Sequence, residues 1–485
     1  MVDGRILYIH PSKLPVDKPV DWSRGASPYL LAPMGVVGLA NALRQKGFDV
    51  VGLNYPMEVA LDPTFRLVPW LRRQSDVRLA MIDLHWYEHA YGAMDVMRAC
   101  KHVWPDVPVL LGGLTASRFY DEIMAQFDAV DFLVRGDPEL PVVSLARGER
   151  LSEIPNLSYR VDGQPVHNDR TYHAGLAELE ALDFVDTSFF VHADRYAEFQ
   201  SSDFGRLKGQ WLEIGRGCHM SCGFCGGSKQ AHQVLAGREA ILTRRPELVA
   251  DDIARLAERG LDQVSLSHDP AVLGKPYWSR LFAAVRARGT RIGIYNECWQ
   301  LPQLDWVDAL ADTFVVADSQ LAISPLSGDE AVRRLNGKHY DNARLFQFLD
   351  ALKRHRIPIF VYFSLNLPGE TEETLVDTIR LATRIAREYP PELVTMANMH
   401  HTVDPESGFA TSPERFGIRV LMKTFMHYYE YCYLTPYAHP EAKQGRLRGF
   451  EMVPPGARSL ARMAEMWDAA CAALGPNVKP VPPVW

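Results

Sequence analysis

The sequence predicts an α/β protein of two successive units: an open, doubly wound parallel sheet, then a partial (β/α)6 barrel, with a small helical segment after it. Three observations carry that prediction. Strand-length apolar runs alternate with helical or loop crossovers through about the first 140 residues, giving five strands. A second alternating series gives six strands between Trp211 and Asn398. Beyond about residue 410 the pattern turns helical and aromatic. The 485 residues fit two or three domains. The expected divisions are 1–150 for the open sheet, 151–208 for a linker, 209–410 for the barrel and 411–485 for the helical segment.

In the first unit, ILYIHP (6–11) reads as a buried parallel strand, and GVVGLANALRQ (35–45) as a helix closed by Gly47. Strands FDVVGLN (48–54), VRLAMIDL (77–84), VPVLLGG (107–113) and AVDFLVRG (129–136) follow, with helices over 92–102 and near 117–126. Ligands of such sheets bind at the carboxyl ends of the strands. LSYRVDGQPVHN resembles a hairpin around Asp162-Gly163 within the linker. The barrel strands are expected at 211–215, 263–268, 291–296, 320–324, 358–365 and 393–398. Their helices are expected at about 245–259, 277–288, 302–311, 341–354 and 371–387.

Composition excludes several classes. Hydrophobic residues make up 47%, charged 23% and aromatic 10%, which rules out disordered and fibrous chains. With 59 acidic against 52 basic residues the net charge is −7, without the basic surplus of a general nucleic-acid binder. Mean hydropathy is −0.14 and no apolar run reaches membrane-spanning length. The opening MVDGRILYIHPSKL runs into a strand without the apolar core of a signal peptide, and a cytoplasmic, reducing location is expected. Seven cysteines are too few for a disulfide scaffold.

Three of those cysteines sit within eight residues: Cys218, Cys222 and Cys225, spaced Cys-x3-Cys-x2-Cys just after the first barrel strand. Three thiolates on one loop can hold three irons of a [4Fe-4S] cluster and leave the fourth open to a bidentate ligand. Two blander readings compete. A structural zinc site would use paired cysteines from two places, or recruit His219. Plain core cysteines would be poorly served by a glycine-rich loop.

The trio resembles the signature of the radical S-adenosylmethionine (radical SAM) superfamily, with Phe224 in its usual aromatic position. Around the barrel, Ser265-Leu266-Ser267-His268-Asp269 stands where the family has Gly-Gly-Glu, and Ser324 where it has a ribose-binding Glu. Asn366-Leu367-Pro368-Gly369-Glu370-Thr371 is similar to the family's "GLPGET", and Val403-Asp404-Pro405-Glu406-Ser407-Gly408 to a late "PGS/PGT" turn. The resemblance covers residues 211–410. It implies iron ligation by Cys218, Cys222 and Cys225, and S-adenosylmethionine contacts at Phe224, Gly226, Ser267, Asp269, Ser324, Asn366 and Leu367. In the family, a reduced cluster cleaves S-adenosylmethionine to a 5′-deoxyadenosyl radical that abstracts hydrogen from substrate. A flavodoxin or ferredoxin supplies the electron, and a partner reductase can finish the reaction.

The first unit resembles the Rossmann-like cobalamin-binding domain found ahead of many radical SAM barrels. Pro33-Met34-Gly35, Asp83-Leu84-His85, Leu111-Gly112-Gly113-Leu114-Thr115 and Arg135-Gly136-Asp137-Pro138-Glu139, the last close to "RGEGE", carry that resemblance. It implies cobalamin contacts at Gly35, Asp83, His85, Gly112, Gly113, Thr115, Arg135 and Gly136. The Asp-x-His-x-x-Gly motif that ligates cobalt elsewhere is absent after the first strand, which continues His10-Pro11-Ser12. A domain that only caps the barrel is the competing reading.

Weaker signals complete the site. Glu297, Cys298, His400 and His401 end barrel strands and should face the mouth; substrate contact or catalysis there competes with a packed free thiol at Cys298 and structural histidines at His400 and His401. Arg333, Arg334, Lys338, Arg244 and Arg245 read as solvated surface. Tyr428, Tyr429, Tyr431, Tyr433 and Tyr437 read as core rather than a substrate cage. The leading function is cobalamin-dependent methylation of an unactivated carbon of a small natural-product substrate. The alternative is cobalamin-independent dehydration or rearrangement of an aminoglycoside-type sugar in antibiotic biosynthesis, as in the radical diol dehydratases. A sensor would need an effector or DNA-binding element, which the sequence does not show. The tRNA methylthiotransferases carry a second cluster on three N-terminal cysteines, whereas only Cys100 precedes the trio here.

Overall fold

The first strand, β1 (Arg5–His10), is apolar on both faces and wholly buried from Ile6 onward, as a central parallel strand must be. In the computed structural model, which describes residues 4–13, 15–18, 30–434, 449–454 and 458–481, it lies between β2 (Asp49–Asn54) and β3 (Val77–Asp83), followed by β4 (Val109–Gly112) and β5 (Phe132–Val134), all parallel. The strand order 2-1-3-4-5 reverses direction between β1 and β3. A doubly wound sheet opens its ligand crevice at that reversal, outside the carboxyl ends of the strands. Helix α1 (Met34–Gln45) buries Val37, Leu39, Ala40 and Leu43 against one face, and α2 (Ala90–Val103) covers the other. Gly38 is small for a reason: a Cβ there would sit 2.7 Å from the Phe184 ring.

The sheet has seven strands rather than the five expected, because the hairpin at Asp162-Gly163 joins it. Strands β6 (Leu157–Val161) and β7 (Gln164–His167) add antiparallel to β5, so part of the stretch read as linker extends the first sheet. Both turn residues are left-handed, which closes a two-residue turn. The helix expected near 117–126 is broken at Phe119 into Leu114–Arg118 and Tyr120–Gln126.

The second unit is a parallel curved sheet in chain order, β8 (Gly209–Leu212), β9 (Gln263–Leu266), β10 (Gly293–Cys298), β11 (Gln320–Leu326), β12 (Ile359–Leu365) and β13 (Val394–His400). Helices α3 (Lys229–Ala236), α4 (Pro246–Glu258), α5 (Lys275–Ala287), α6 (Leu304–Ala311), α7 (Asn342–Arg354) and α8 (Glu372–Glu388) lie between the strands. Their apolar stripes and the outer faces of the strands form the largest core, which includes Trp278, Phe282, Trp306 and Phe348. A Thr371–Thr374 capping box starts α8.

The C-terminal segment is not purely helical. Helix α9 (Phe425–Leu434) packs on α2 of the first unit, where Tyr428 and Tyr431 stand 5.3 and 6.0 Å from Tyr87. Helix α10 (Leu460–Leu474) packs on α8, and β14 (Val478–Lys479) pairs with β13 as a seventh parallel strand. A sheet edge left bare at β13 would expose unpaired backbone, and the returning chain covers it. Tyr428 and Tyr431 are core, while Tyr433 is exposed. Tyr437 lies outside the described residues.

Candidate active site

A cavity of about 890 Å³ lies where the carboxyl ends of the two sheets face each other. It runs from the switch point of the first sheet, past the cysteine loop, into the barrel lumen. Cys218, Cys222 and Cys225 all line it.

The loop is built by short turns. Cys225 N–H donates to the Cys222 carbonyl and Ser228 N–H to that of Cys225, both at 3.3 Å, before Ser228 caps α3. Two thiols receive backbone N–H groups: Met220 N–H to Cys218 Sγ and Gly227 N–H to Cys225 Sγ, each at 3.3 Å. Gly223 and Gly226 thread the loop between walls. A Cβ on Gly223 would meet Phe416 at 2.6 Å, and one on Gly226 the Pro405 carbonyl at 2.8 Å. Gly226 N–H donates to Asp404 Oδ2 at 2.9 Å. Gly226 therefore seats the loop against the Asp404-Pro405 turn and does not line the main cavity, contrary to the cofactor contact expected of it. Burial raises the pKa of all three thiols, so an electropositive partner is needed to ionise them.

Phe224, Ser267 and Ser324 line the cavity. Phe224 packs edge-on to His401 at 4.9 Å. Ser267 is tied to the preceding strand: its Oγ donates to Glu213 Oε1 at 2.6 Å and lies 2.9 Å from His268 Nδ1. His268 Nε2 in turn lies 2.8 Å from the Gly217 carbonyl. Asp269 departs from expectation. It is buried, and its carboxylate accepts from Ala271 N–H at 2.9 Å and Trp299 N–H at 3.0 Å, away from the cavity wall. Burial pushes its pKa up to about 6.

Asn366 and Leu367 also lie behind the wall. Asn366 is left-handed, its Nδ2 donates to the His401 carbonyl at 2.8 Å, and Leu367 packs with Leu326 and Val332 beneath Phe224. Glu370 Oε2 accepts the N–H groups of Asn366 at 2.8 Å and Leu367 at 3.1 Å. The "GLPGET"-like turn thus shapes the support of Phe224.

Glu297, Cys298, His400 and His401 all line the cavity. Burial lowers His401 to about 4, which leaves it neutral at neutral pH, and holds the Cys298 thiol protonated.

On the side of the first sheet, Gly35, Asp83, His85, Gly112, Gly113 and Gly136 line the cavity, while Thr115 and Arg135 do not line it. Thr115 donates to the His85 carbonyl at 3.0 Å, and Arg135 lies over the Tyr120 ring and donates to the Asn168 carbonyl. Asp83, at the end of β3, is held by Tyr8 Oη at 2.6 Å and His10 Nδ1 at 2.9 Å across the switch point.

Several residues were missed from sequence. Arg216 reaches across the domain boundary to Glu139 at 2.7 Å and Asp137 at 3.4 Å, and Arg238 pairs with Asp137 as well. Asp137 and Glu139 belong to the "RGEGE"-like stretch, so that stretch docks the sheet onto the cysteine loop. Trp86 packs over Gly227, where an added Cβ would stand 3.3 Å from its ring. Three residues assigned to solvent are buried: Arg244, Arg333 and Lys338 are 2%, 0% and 5% exposed. Arg333 holds the Ser327 carbonyl and Asn342 Oδ1 by its guanidinium, and Lys338 lines the cavity. Arg245 and Arg334 are exposed, as expected. The period-two pattern of WLEIG pointed Trp211 and Glu213 to one face and was the available signal for Glu213.

Comparison with known proteins agrees with this geometry. A family profile described as the radical SAM superfamily matches residues 212–382, and one described as a B12 binding domain matches residues 24–146. The chain thus carries a B12-binding domain followed by a radical SAM domain. Among solved structures, this chain is similar to the radical S-adenosylmethionine methyltransferase TsrM from Kitasatospora setae with tryptophan substrate and a SAM analogue bound. The TM-score is 0.62 at 15% identity, over 86% of this chain and 78% of that one. It is also similar to the cobalamin-dependent radical enzyme OxsB (TM-score 0.55, 12% identity, 79% of this chain and 52% of that one). At such identities the likeness is one of fold. Curated relatives include tRNA-2-methylthio-N(6)-dimethylallyladenosine synthases. That of Cutibacterium acnes is 24% identical over 302 residues, 60% of this chain and 53% of the relative. That of Tropheryma whipplei is 27% identical over 230 residues, 44% of this chain and 45% of the relative. The chain spans about half the length of these curated relatives.

The radical SAM domain implies a [4Fe-4S] cluster and S-adenosylmethionine, and the B12-binding domain implies cobalamin; the residues present fit each. Among the described residues no three His, Cys, Asp or Glu side chains close on a single metal ion. A cluster instead takes one thiolate per iron, and Cys218, Cys222 and Cys225 face one cavity to provide them. Gly35 and Gly112 leave open wall at the ends of the first sheet: a Cβ on Gly35 would meet nothing within 4 Å, and one on Gly112 only the Val134 carbonyl at 3.9 Å. That is room for a bulky ring system rather than tight protein packing. Phe224 offers a flat apolar surface for an adenine.

Proposed function

We propose that this radical SAM protein is a cobalamin-dependent methyltransferase acting on an unactivated carbon of a small natural-product substrate. One observation carries the reading: the cysteine loop, the ends of the first sheet and the barrel lumen open into a single cavity. When bound there, the cofactors supply radical generation and a methyl carrier, and their chemistry is their own. The protein's part is placement and exclusion. Trp86 and the Asp404-Pro405 turn close over the cysteine loop, and the Arg216–Glu139 and Arg238–Asp137 pairs hold the two halves of the cavity at fixed distance. Enclosure of this kind keeps water and stray hydrogen donors from a reactive species. The methyltransferase activity of TsrM supports methylation. The methylthiolation of the curated relatives fits less well, since Cys100, which alone precedes the trio, is buried in the core of the first unit. An electron donor such as flavodoxin or ferredoxin is the expected partner.

The test is reconstitution with iron, sulfide and hydroxocobalamin, then desalting and absorption spectroscopy. Retention of about one corrin per chain is expected, with Cys218→Ala, Cys222→Ala and Cys225→Ala each losing cluster iron and S-adenosylmethionine cleavage. A cluster spectrum without retained corrin would overturn methylation, and diol-bearing sugars would then be assayed for loss of water.

A further inference from the structure

Past the cysteine loop the cavity continues into the barrel lumen. Trp211, Glu213, Glu297, Ser324, Tyr362 and Ser364 line it there. Tyr295, two residues before Glu297 on β10, stands edge-on to Trp211 with ring centroids 5.8 Å apart, and Tyr362 stacks on Phe360 at 4.2 Å. The two carboxylates differ in their surroundings. Glu213 accepts from Ser267 at 2.6 Å and lies 3.6 Å from His268 Nδ1. Glu297 accepts a long bond from Tyr295 Oη at 3.2 Å and is exposed to the cavity. The nearby cation, Lys338, donates its Nζ to the Trp299 carbonyl at 2.8 Å, and its charge acts on Cys222 first, then on Glu297, Cys298 and Asp269, so it is shared among several acidic groups.

We infer that the barrel lumen selects a cationic, amine-bearing substrate, its ammonium seated against Glu297 between the aromatic walls of Trp211 and Tyr362. The inference rests on the reading of this cavity as the active site of a radical SAM enzyme, and it names the substrate class. Glu297 faces the cavity from within the lumen; the surrounding protein raises its carboxyl pKa, and the Tyr295 hydroxyl and the Lys338 charge offset only part of that rise. A cation within about 4–6 Å is what holds such a carboxylate ionised. An ammonium is also the ligand that electron-rich ring faces attract. A neutral alcohol can donate a hydrogen bond to Glu297 but brings no charge to the carboxylate or to the ring faces, and an anionic substrate would meet Glu297 and Glu213 with like charge. S-adenosylmethionine carries an ammonium too and would be held beside the cysteine loop of Cys218, Cys222 and Cys225, so the test must separate the two.

The experiment uses the reconstituted holoprotein with saturating S-adenosylmethionine and three probes of equal shape class: benzylamine, benzyl alcohol and N-acetylbenzylamine. Binding is read by equilibrium dialysis. Benzylamine is expected to bind at least about tenfold tighter than either neutral probe. In Glu297→Gln that preference should vanish, while affinity for benzyl alcohol and for S-adenosylmethionine stays within about twofold. Equal binding of benzylamine and benzyl alcohol by the native protein would overturn the inference, whether or not the variant folds. So would a preference that survives Glu297→Gln, or a fall in S-adenosylmethionine affinity in that variant, which would assign Glu297 to the cofactor. Binding requires no methyl transfer. A protein that retains no corrin therefore defeats the methylation reading alone, and one that retains corrin but ignores the amine defeats this inference alone.

Discussion

Glu370 shows how one side chain of a recognised motif acts through position rather than contact. Its Oε2 accepts two backbone N–H groups of the turn behind Phe224, while its Oε1 finds no partner among the described residues. Burial raises its pKa to about 7, against the pull of those N–H groups and of Arg458. Because the folded-state value lies above the unfolded one, Glu370 favours the fold fully below about pH 4.5 and loses that contribution as pH rises through about 7. Glu370→Gln keeps an acceptor for both N–H groups and removes the buried charge. The variant should melt with the native protein near pH 4.5 and above it at pH 8, by up to about 3 kcal/mol. Parallel melting curves across that range would show that the carboxyl is ionised at no cost.

At the scale of elements, the cysteine loop depends on neighbours far away in sequence. Gly337, in the turn between Glu330–Leu335 and α7, has φ +96°, and a Cβ there would stand 3.2 Å from Cys222 Cα. Gly337→Ala should therefore cost about 1–2 kcal/mol from the left-handed backbone and displace Cys222. The expected result is a lower melting temperature together with fewer irons per chain after reconstitution. A full complement of iron at unchanged melting temperature would mean that the loop tolerates the push. The same logic explains Lys338 next door. A basic residue after a glycine reads as solvated turn, yet the turn folds inward over the loop and carries the lysine with it.

At the scale of the molecule, two α/β units meet across one cavity, and the C-terminal segment ties both, α9 to the first and α10 with β14 to the second. The buried pairs of Asp137 with Arg216 and Arg238 are the polar part of that junction. Removing one partner of a buried pair leaves an uncompensated charge and costs about 3–5 kcal/mol. Asp137→Ala should lower the melting temperature and open the junction to limited proteolysis, with helix content retained by circular dichroism. Unchanged protease resistance would assign the junction to apolar packing instead.

Much of this was legible along the chain because it is local. Strand and helix periods place the five parallel strands of the first unit and the six of the barrel, since each element's buried face repeats at its own pitch. The Cys218–Cys225 spacing marks the cysteine loop, because three thiols within eight residues can reach one cluster from a single loop. What the sequence left open are pairings between distant segments. The hairpin that becomes the sheet's edge and β14 covering β13 depend on which edge lies bare after folding. Asp269 turning to backbone amides and Gly226 seating against Pro405 are likewise set by what packs beside them. So are the domain-docking role of Asp137 and Glu139 and the exposure of Glu297 to a shared cavity. The sequence by itself determined the elements and the cysteine loop, which are written in short-range periodicity and spacing. Only the tertiary structure decided which polar groups face the cavity and which brace it, because burial and partners come from residues tens to hundreds of positions away.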